Sequence, residues 1–326
     1  MIRKLAALGA AMMMATGLAV AQEYSFTLGH AHPESGSFHQ IALKLQDELA
    51  KSGVELIIYP DASLGGELKM VQSIRNGAVD FTIVSQPTIE NSVPEFRVLS
   101  LPYIYEDMDH ASAVLHGPLG RQFLDILKRY DIVGFDWGPV YERSVAGTKS
   151  IGSVDDMAGL KIRVVQSPGF VKAYEALGAQ PTAMAYGELF LALQNGVVDA
   201  TELAPGQILS DGFGDIVTHY STTRANYIPS LLLMSAGKFE SLPSDVQEKI
   251  REAAEAAMKF GAEYVRSDDT SAIEKMKERG VVFADPDLAP FMEKARASWD
   301  EILGEEAAKP EIQNFLAEAE KLRKND

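Results

Sequence analysis

Tyr24-Ser-Phe-Thr-Leu-Gly29 and Val54-Glu-Leu-Ile-Ile-Tyr59 read as two β-strands. Between them Phe38, Ile41, Ala42, Leu45 and Leu49 recur at three- and four-residue spacing, which places all five on one face of a helix. The same alternation continues outward. Residues 79–84, 132–137, 160–165, 197–200 and 281–284 are further strand candidates, and helical patterns lie between most of them. Strands that alternate with helices imply an α/β fold with mostly parallel sheets and helices on both faces.

Two segments echo each other. Asn76-Gly-Ala-Val-Asp80 and Asn195-Gly-Val-Val-Asp199 each follow an amphipathic helical stretch and precede a strand. Asn-Gly leaves a helix readily, because glycine accepts the left-handed backbone of a helix stop. A repeated exit of this kind suggests two lobes of similar construction. Later, a helical pattern runs from Leu242-Pro-Ser-Asp245 to Arg279 and closes at Gly280. Unbroken, it would be about 34 residues, or roughly 50 Å, long enough to run along both lobes. Gly261 or the 267–271 stretch would be the place for a break. The end of the chain, 301–326, reads as an amphipathic surface helix.

The N-terminus is basic at Arg3 and Lys4, apolar from Leu5 to Ala21, and exits through Ala19-Val-Ala21 into Gln22-Glu23. That is the layout of a cleaved export leader over residues 1–21. About 305 residues then remain, which suits two lobes better than one. The formal charge is −16. Removing Arg3 and Lys4 leaves 28 basic against 46 acidic residues. Such a chain should avoid nucleic acid and anionic membrane surfaces, and an anion would have to be held by a few placed cations in a cleft. There is no cysteine, which excludes disulfides, thiolate metal sites and a cysteine nucleophile.

Signatures of catalysis are scarce. Gly-x-Ser-x-Gly, His-Glu-x-x-His and the phosphate-binding loop are all missing. His30 and His32 close a strand with their side chains alternating, which is poor geometry for a shared metal; they mark a strand-end loop or the wall of a cleft. More informative is Gly159-Leu-Lys-Ile-Arg-Val-Val-Gln-Ser-Pro168. Arg163 falls near the carboxyl end of that strand, where open α/β sheets bind ligands. Its planar fork matches the two oxygens of a carboxylate. From spacing alone, a surface ion pair and a ligand clamp both remain open.

A set of blocks, in order, resembles the substrate-binding proteins of tripartite ATP-independent periplasmic (TRAP) transporters, of the C4-dicarboxylate-binding type. They are Tyr59-Pro-Asp-Ala-Ser-Leu-Gly65, Gly77-Ala-Val-Asp80, Leu101-Pro-Tyr103, Gly159-Leu-Lys-Ile-Arg-Val164, Gly178-Ala-Gln-Pro-Thr-Ala-Met184, Glu188-Leu-Phe-Leu-Ala-Leu-Gln194 and Gly196-Val-Val-Asp199, with Leu242-Pro243 ahead of the long helix. The resemblance implies a two-lobed periplasmic-binding-protein fold, type II-like, with hinge strands near 140–143 and 227–230 and a long helix spanning both lobes. It divides the chain into 22–140 plus 229–268, and 141–228 plus 269–326. It implies that Arg163 pairs with a ligand carboxylate, with Arg143 as a second arginine and with Tyr186, Gln166, Ser85 and Gln86 in the cleft. His32, Glu202, Leu203 and Tyr227 complete the candidate binding set. Leu203 stands where the family usually has an asparagine beside the carboxylate. The resemblance further implies a periplasmic monomer with no cofactor or metal. It would bind a small organic acid anion, closest to a sugar acid, and pass it to integral-membrane transporter subunits. The alternative is an enzyme or chemosensory protein on the same scaffold.

Overall fold

A computed structural model describes residues 24–323. The leader expected over 1–21 lies outside the described residues. The strands are β1 (Tyr24–Gly29), β2 (Val54–Tyr59), β3 (Phe81–Ser85), β4 (Ile132–Gly147), β5 (Lys161–Val164), β6 (Gln180–Ala183), β7 (Ala200–Leu203), β8 (His219–Ser235) and β9 (Val282–Ala284). They join in one sheet in the order β2-β1-β3-β8-β4-β7-β5-β6, with β9 on β8. β1 pairs in parallel with β2 and β3, and β5 in parallel with β6 and β7. β3 then runs antiparallel to β8, as β7 does to β4. The two ends of the sheet therefore repeat one plan, β2-β1-β3-β8 and β6-β5-β7-β4.

The echoed Asn-Gly segments are the matching joints of that plan. The helices Glu67–Arg75 and Leu189–Gln194 both stop at the asparagine, and Gly77 and Gly196 carry φ of 76° and 67°. Each joint then feeds the strand that meets a long central one.

Those central strands make the molecule two-lobed. β4 and β8 are 16 and 17 residues long, and each serves both ends of the sheet. Their pairing slips between Gly134 and Trp137, between Trp137 and Val140, and between Arg143 and Val145. Such irregularities bend and twist a two-stranded ribbon. The stretch between the last two slips pairs Val140 with Pro229 and Arg143 with Asn226, so the two segments expected as hinges are register partners.

Several strands differ from the reading of the sequence. β4 runs through Gly138-Pro139 to Gly147, beyond the expected 132–137. Of β8 only the hinge stretch 227–230 is expected, and only from the family resemblance; Pro229 and the polar start hide its full length, and the proline is tolerated at the bulged, irregular stretch. β6 is an exposed edge strand without apolar alternation. β7 begins at Ala200, where 197–200 had been expected.

The long helix, Ser244–Glu278, is unbroken over 35 residues. Gly261 does not break it but lets it cross closely: a Cβ there would lie 2.7 Å from Ile41 and 3.1 Å from Pro139. The end of the chain forms helices Ala289–Arg296, Trp299–Leu303 and Pro310–Lys321. Phe315 meets Phe123 edge-on at 5.1 Å, and Trp299 Nε1 donates to the Pro102 carbonyl. Lys172 Nζ reaches the Glu301 carbonyl, so this segment touches both ends of the sheet. Among the described residues no helix is long and apolar enough to cross a membrane.

The crossing gives a stability prediction with a diagnostic sign. In an ordinary exposed helix, replacing glycine gains up to about 1 kcal/mol. Gly261→Leu should instead destabilise by about 1–3 kcal/mol, because the added atoms meet the packed Ile41 and Pro139. Chemical denaturation of the two proteins checks this; a more stable variant contradicts the close crossing.

Candidate functional site

β4, β5 and β7 lie side by side in the second half of the sheet, and each contributes one charged side chain to a buried group. Arg143, Arg163 and Glu202 are 2%, 3% and 0% exposed. Arg163 donates from Nε and Nη2 to the Met184 carbonyl at 3.2 and 3.0 Å. Its Nη1 has no hydrogen-bond partner and lies 3.9 Å from Glu202 Oε1. Arg143 Nη1 donates to Gln207 Oε1 at 2.7 Å and to the Glu202 carbonyl at 3.2 Å. Arg143 Nε lies 3.4 Å from Glu202 Oε2, out of hydrogen-bonding geometry.

Both carboxylate oxygens of Glu202 likewise lack a hydrogen bond of good geometry. Burial pushes this carboxyl above the ordinary range, while Arg143 and Arg163 pull it down. Burial also lowers the Arg163 guanidinium from its usual value. Buried polar groups are nearly always satisfied, so donors left unspent on two buried arginines mark a place built for another acceptor.

Both arginines line a tight cavity of about 10 Å³, room for about one water molecule. Val165, Gln166, Met184, Ala185 and Tyr186 come from the same half of the molecule; Glu67, Ser85 and Thr88 come from the first half. The Glu67 carboxylate accepts from Ser85 N and Oγ at 3.0 and 2.9 Å and from Thr88 Oγ1 at 2.5 Å. It is close enough to act on the charge of Arg163. The Arg163 guanidinium carbon stands 5.7 Å from the Tyr186 ring centre. Burial and the neighbouring Asp211 carboxylate raise the Tyr186 phenol well above its ordinary value, so it remains a hydrogen-bond donor.

The candidates therefore separate. Arg143, Arg163, Tyr186, Gln166 and Ser85 meet at the cavity, and Glu202 braces the arginines from behind. Gln86 is an internal brace, donating to the Phe96 carbonyl and accepting from Ser100 Oγ. Tyr227 lies away from the cavity with its hydroxyl on Glu142. Leu203 follows Glu202 on β7 and points to the other face, into a core with Ala146, Leu189, Ile208 and Tyr220. Met184 and Tyr186 of the cavity wall pack against that same core, while Leu203 itself is fully buried and does not line the cavity. His32 pairs with Asp211 at 3.0 Å, and His30 Nε2 with His39 Nδ1 at 3.1 Å. Among the described residues no three His, Asp or Glu side chains are placed to hold a metal ion.

Glu67, Thr88 and Asp211 were not picked out from the sequence. Glu67 reads there as an ordinary acidic residue in the first turn of a helix. Asp211 reads as a turn residue between Ser210 and Gly212. A roomier groove of about 250 Å³ lies along Gly138, Val140, Glu142 and the long helix, but its charged lining is the half-buried carboxylates Glu142 and Asp269 with the exposed Arg266 in place of a buried arginine pair.

The model of one family, DctP, described as bacterial extracellular solute-binding protein, family 7, matches residues 28–306. The chain belongs to that family. Family 7 relatives resemble it over most of their length. A TRAP periplasmic solute-binding protein from Xanthobacter autotrophicus Py2, solved with bound β-D-galacturonate, superposes with a TM-score of 0.87 at 26% identity, covering 91% of this chain and all of that one. The 2,3-diketo-L-gulonate-binding periplasmic protein YiaO of Escherichia coli is 27% identical over 82% of this chain and 83% of its own. The C4-dicarboxylate-binding periplasmic protein DctP of Rhodobacter capsulatus is 25% identical over 80% of this chain and 77% of its own.

His30 makes this family 7 chain sensitive to acid. Burial first, then the neighbouring rings of His32 and His39, hold its pKa down to about 3 against an ordinary 6.5. The folded state thus refuses a proton that the unfolded state accepts below about pH 6.5. Stability is therefore lost as pH falls from there toward 3. By pH 5 the loss from this one group is about 2 kcal/mol. Melting curves of wild type and His30→Gln between pH 7.5 and 5 should show a shallower decline in the variant; equal slopes contradict this account.

Proposed function

We propose that this chain is the periplasmic component of a TRAP transporter, and that it captures a hydroxylated monocarboxylate of the sugar-acid class. The observation that carries this reading is the arginine pair with unspent donors on one wall and Glu67 on the other. A ligand carboxylate takes the free edge of Arg163 and the reach of Arg143; charge-assisted bonds of this kind are the strong ones. Glu67 then faces the rest of the ligand. An ionised carboxylate only accepts hydrogen bonds, so it favours hydroxyl groups and repels a second carboxylate. That opposes a C4-dicarboxylate and suits a uronate or aldonate. The kinship with galacturonate- and diketogulonate-binding proteins supports the same class.

In this reading export follows cleavage of the 1–21 leader, the protein acts as a monomer, and it binds without turnover. The lobes, 22–140 with 229–268 and 141–228 with 269–326, close by bending the ribbon where 140–143 pairs with 227–230. Closing brings Glu67, Ser85 and Thr88 of one lobe against the arginines of the other, and the closed form is what the integral-membrane subunits receive.

Calorimetry with D-galacturonate, D-glucuronate, D-galactonate, D-erythronate, succinate and L-malate tests the class. A sugar acid should bind tightest. Arg163→Ala should weaken it by about 2–5 kcal/mol, and Arg163→Lys should recover only part, since a point charge cannot replace the fork. Glu67→Gln should weaken the sugar acid and improve succinate. Succinate bound more tightly than every sugar acid, or full affinity in Arg163→Ala, contradicts the proposal.

A further inference from the structure

Asp211 gathers contacts from both lobes at the edge of the cavity. Its Oδ2 accepts from the Tyr186 hydroxyl at 2.5 Å and meets His32 Nδ1 at 3.0 Å. Its Oδ1 accepts from Ser210 Oγ at 2.7 Å. The side chains of His32 and Asp211 are 2% and 1% exposed, so water competes for neither. The His32 ring is sandwiched between Phe38 and Tyr186, with ring centres 3.9 and 4.1 Å away. His32 and Phe38 belong to the β1 side of the cleft, whereas Tyr186 and Asp211 belong to the arginine side. Two further contacts run alongside. Ser35 Oγ donates to the Ser210 carbonyl at 2.5 Å. Gly36 approaches so closely that a Cβ would lie 2.7 Å from Asp211 Oδ1.

Tyr186 is the joint between this cluster and the ligand. One part of its ring lines the cavity beside Arg163, another stacks on His32, and the hydroxyl is fixed by Asp211. We propose that Asp211 is a positioning residue for ligand binding: it holds Tyr186 against the arginine site and latches it to His32 across the cleft, so that a bound carboxylate is released only when this latch opens. The proposal rests on the reading of the chain as a binding protein that closes on its ligand. A buried carboxylate shared by two donors from opposite lobes is well satisfied when the cleft is shut. When it opens, His32 and Tyr186 lose each other's stacking and His32 loses its partner, so the latch adds to the barrier for release and not to the encounter.

The chain has no cysteine, so a pair introduced at Ile57 and Leu191, both exposed and at opposite ends of the sheet, takes spin labels cleanly. Distances are read with and without D-galacturonate, together with its dissociation constant and off-rate. Asp211→Asn should raise the dissociation constant ten- to a hundredfold, nearly all of it in the off-rate, while the ligand-free melting temperature changes little. His32→Phe keeps the stack and removes the polar contact; it should do the same to a smaller degree. Tyr186→Phe combined with Asp211→Asn should lose no more than the worse single variant, since both break one device. Without ligand, wild type should show the short distance as a minor population, too small to slow the encounter, and Asp211→Asn should lose it. An unchanged off-rate, additive losses, or lower affinity with unaltered distances assigns Asp211 a merely structural part and overturns the proposal. If wild type binds none of the acids, the functional reading fails, and the ligand-free distances alone decide the latch: equal distributions in wild type and Asp211→Asn reject it.

Discussion

Two guanidiniums held next to one buried carboxylate impose the main constraint on this molecule. Taking Arg143, Arg163 and Glu202 out of water is costly, and a buried charge survives only if its neighbours compensate it. Here the compensation is incomplete. Glu202 stands 3.4 and 3.9 Å from the two arginines without a good hydrogen bond, while Met184 and Gln207 take some of the remaining donors. Counted formally, two guanidiniums outnumber one carboxylate in a place closed to solvent. An arrangement of that kind is poor for stability alone and well suited to an anion that completes it.

The fold is what makes the trio possible. The three residues come from β4, β5 and β7, which are far apart in sequence and adjacent in the sheet. β4 also belongs to the other half of the sheet through its pairing with β8, so the arginine it carries stands at the junction of the lobes. Glu67 arrives from the first lobe at the start of the helix whose far end is the joint Asn76-Gly77. The same duplication that builds two lobes thus supplies one wall that attracts a carboxylate and one that receives hydroxyls.

Much of this was legible in the sequence. Alternating strand and helix patterns gave the class of fold, the paired Asn-Gly exits gave the repetition, and the Lys-Ile-Arg-Val strand with its Ser-Pro stop pointed to Arg163. What was hidden has physical reasons. β8 is a central strand interrupted by a proline that a bulge excuses, so no local pattern announces it. Gly261 looked like a helix breaker, but in the structure it is the point where the long helix presses on Ile41 and Pro139. Strand alternation sends Leu203 to the opposite face from Glu202, into a core that Met184 and Tyr186 of the cavity wall flank, and a motif position alone does not tell which face that is. Asp211 and His32 are 179 residues apart, and only the closure of two lobes brings them together.

A crystal structure with D-galacturonate tests the central claim most directly. The account predicts the ligand carboxylate on Arg163 and Arg143 with N–O distances of about 2.7–2.9 Å, and at least one ring hydroxyl donating to Glu67. A carboxylate bound elsewhere, with Arg163 still committed only to Met184 and Glu202, would contradict it.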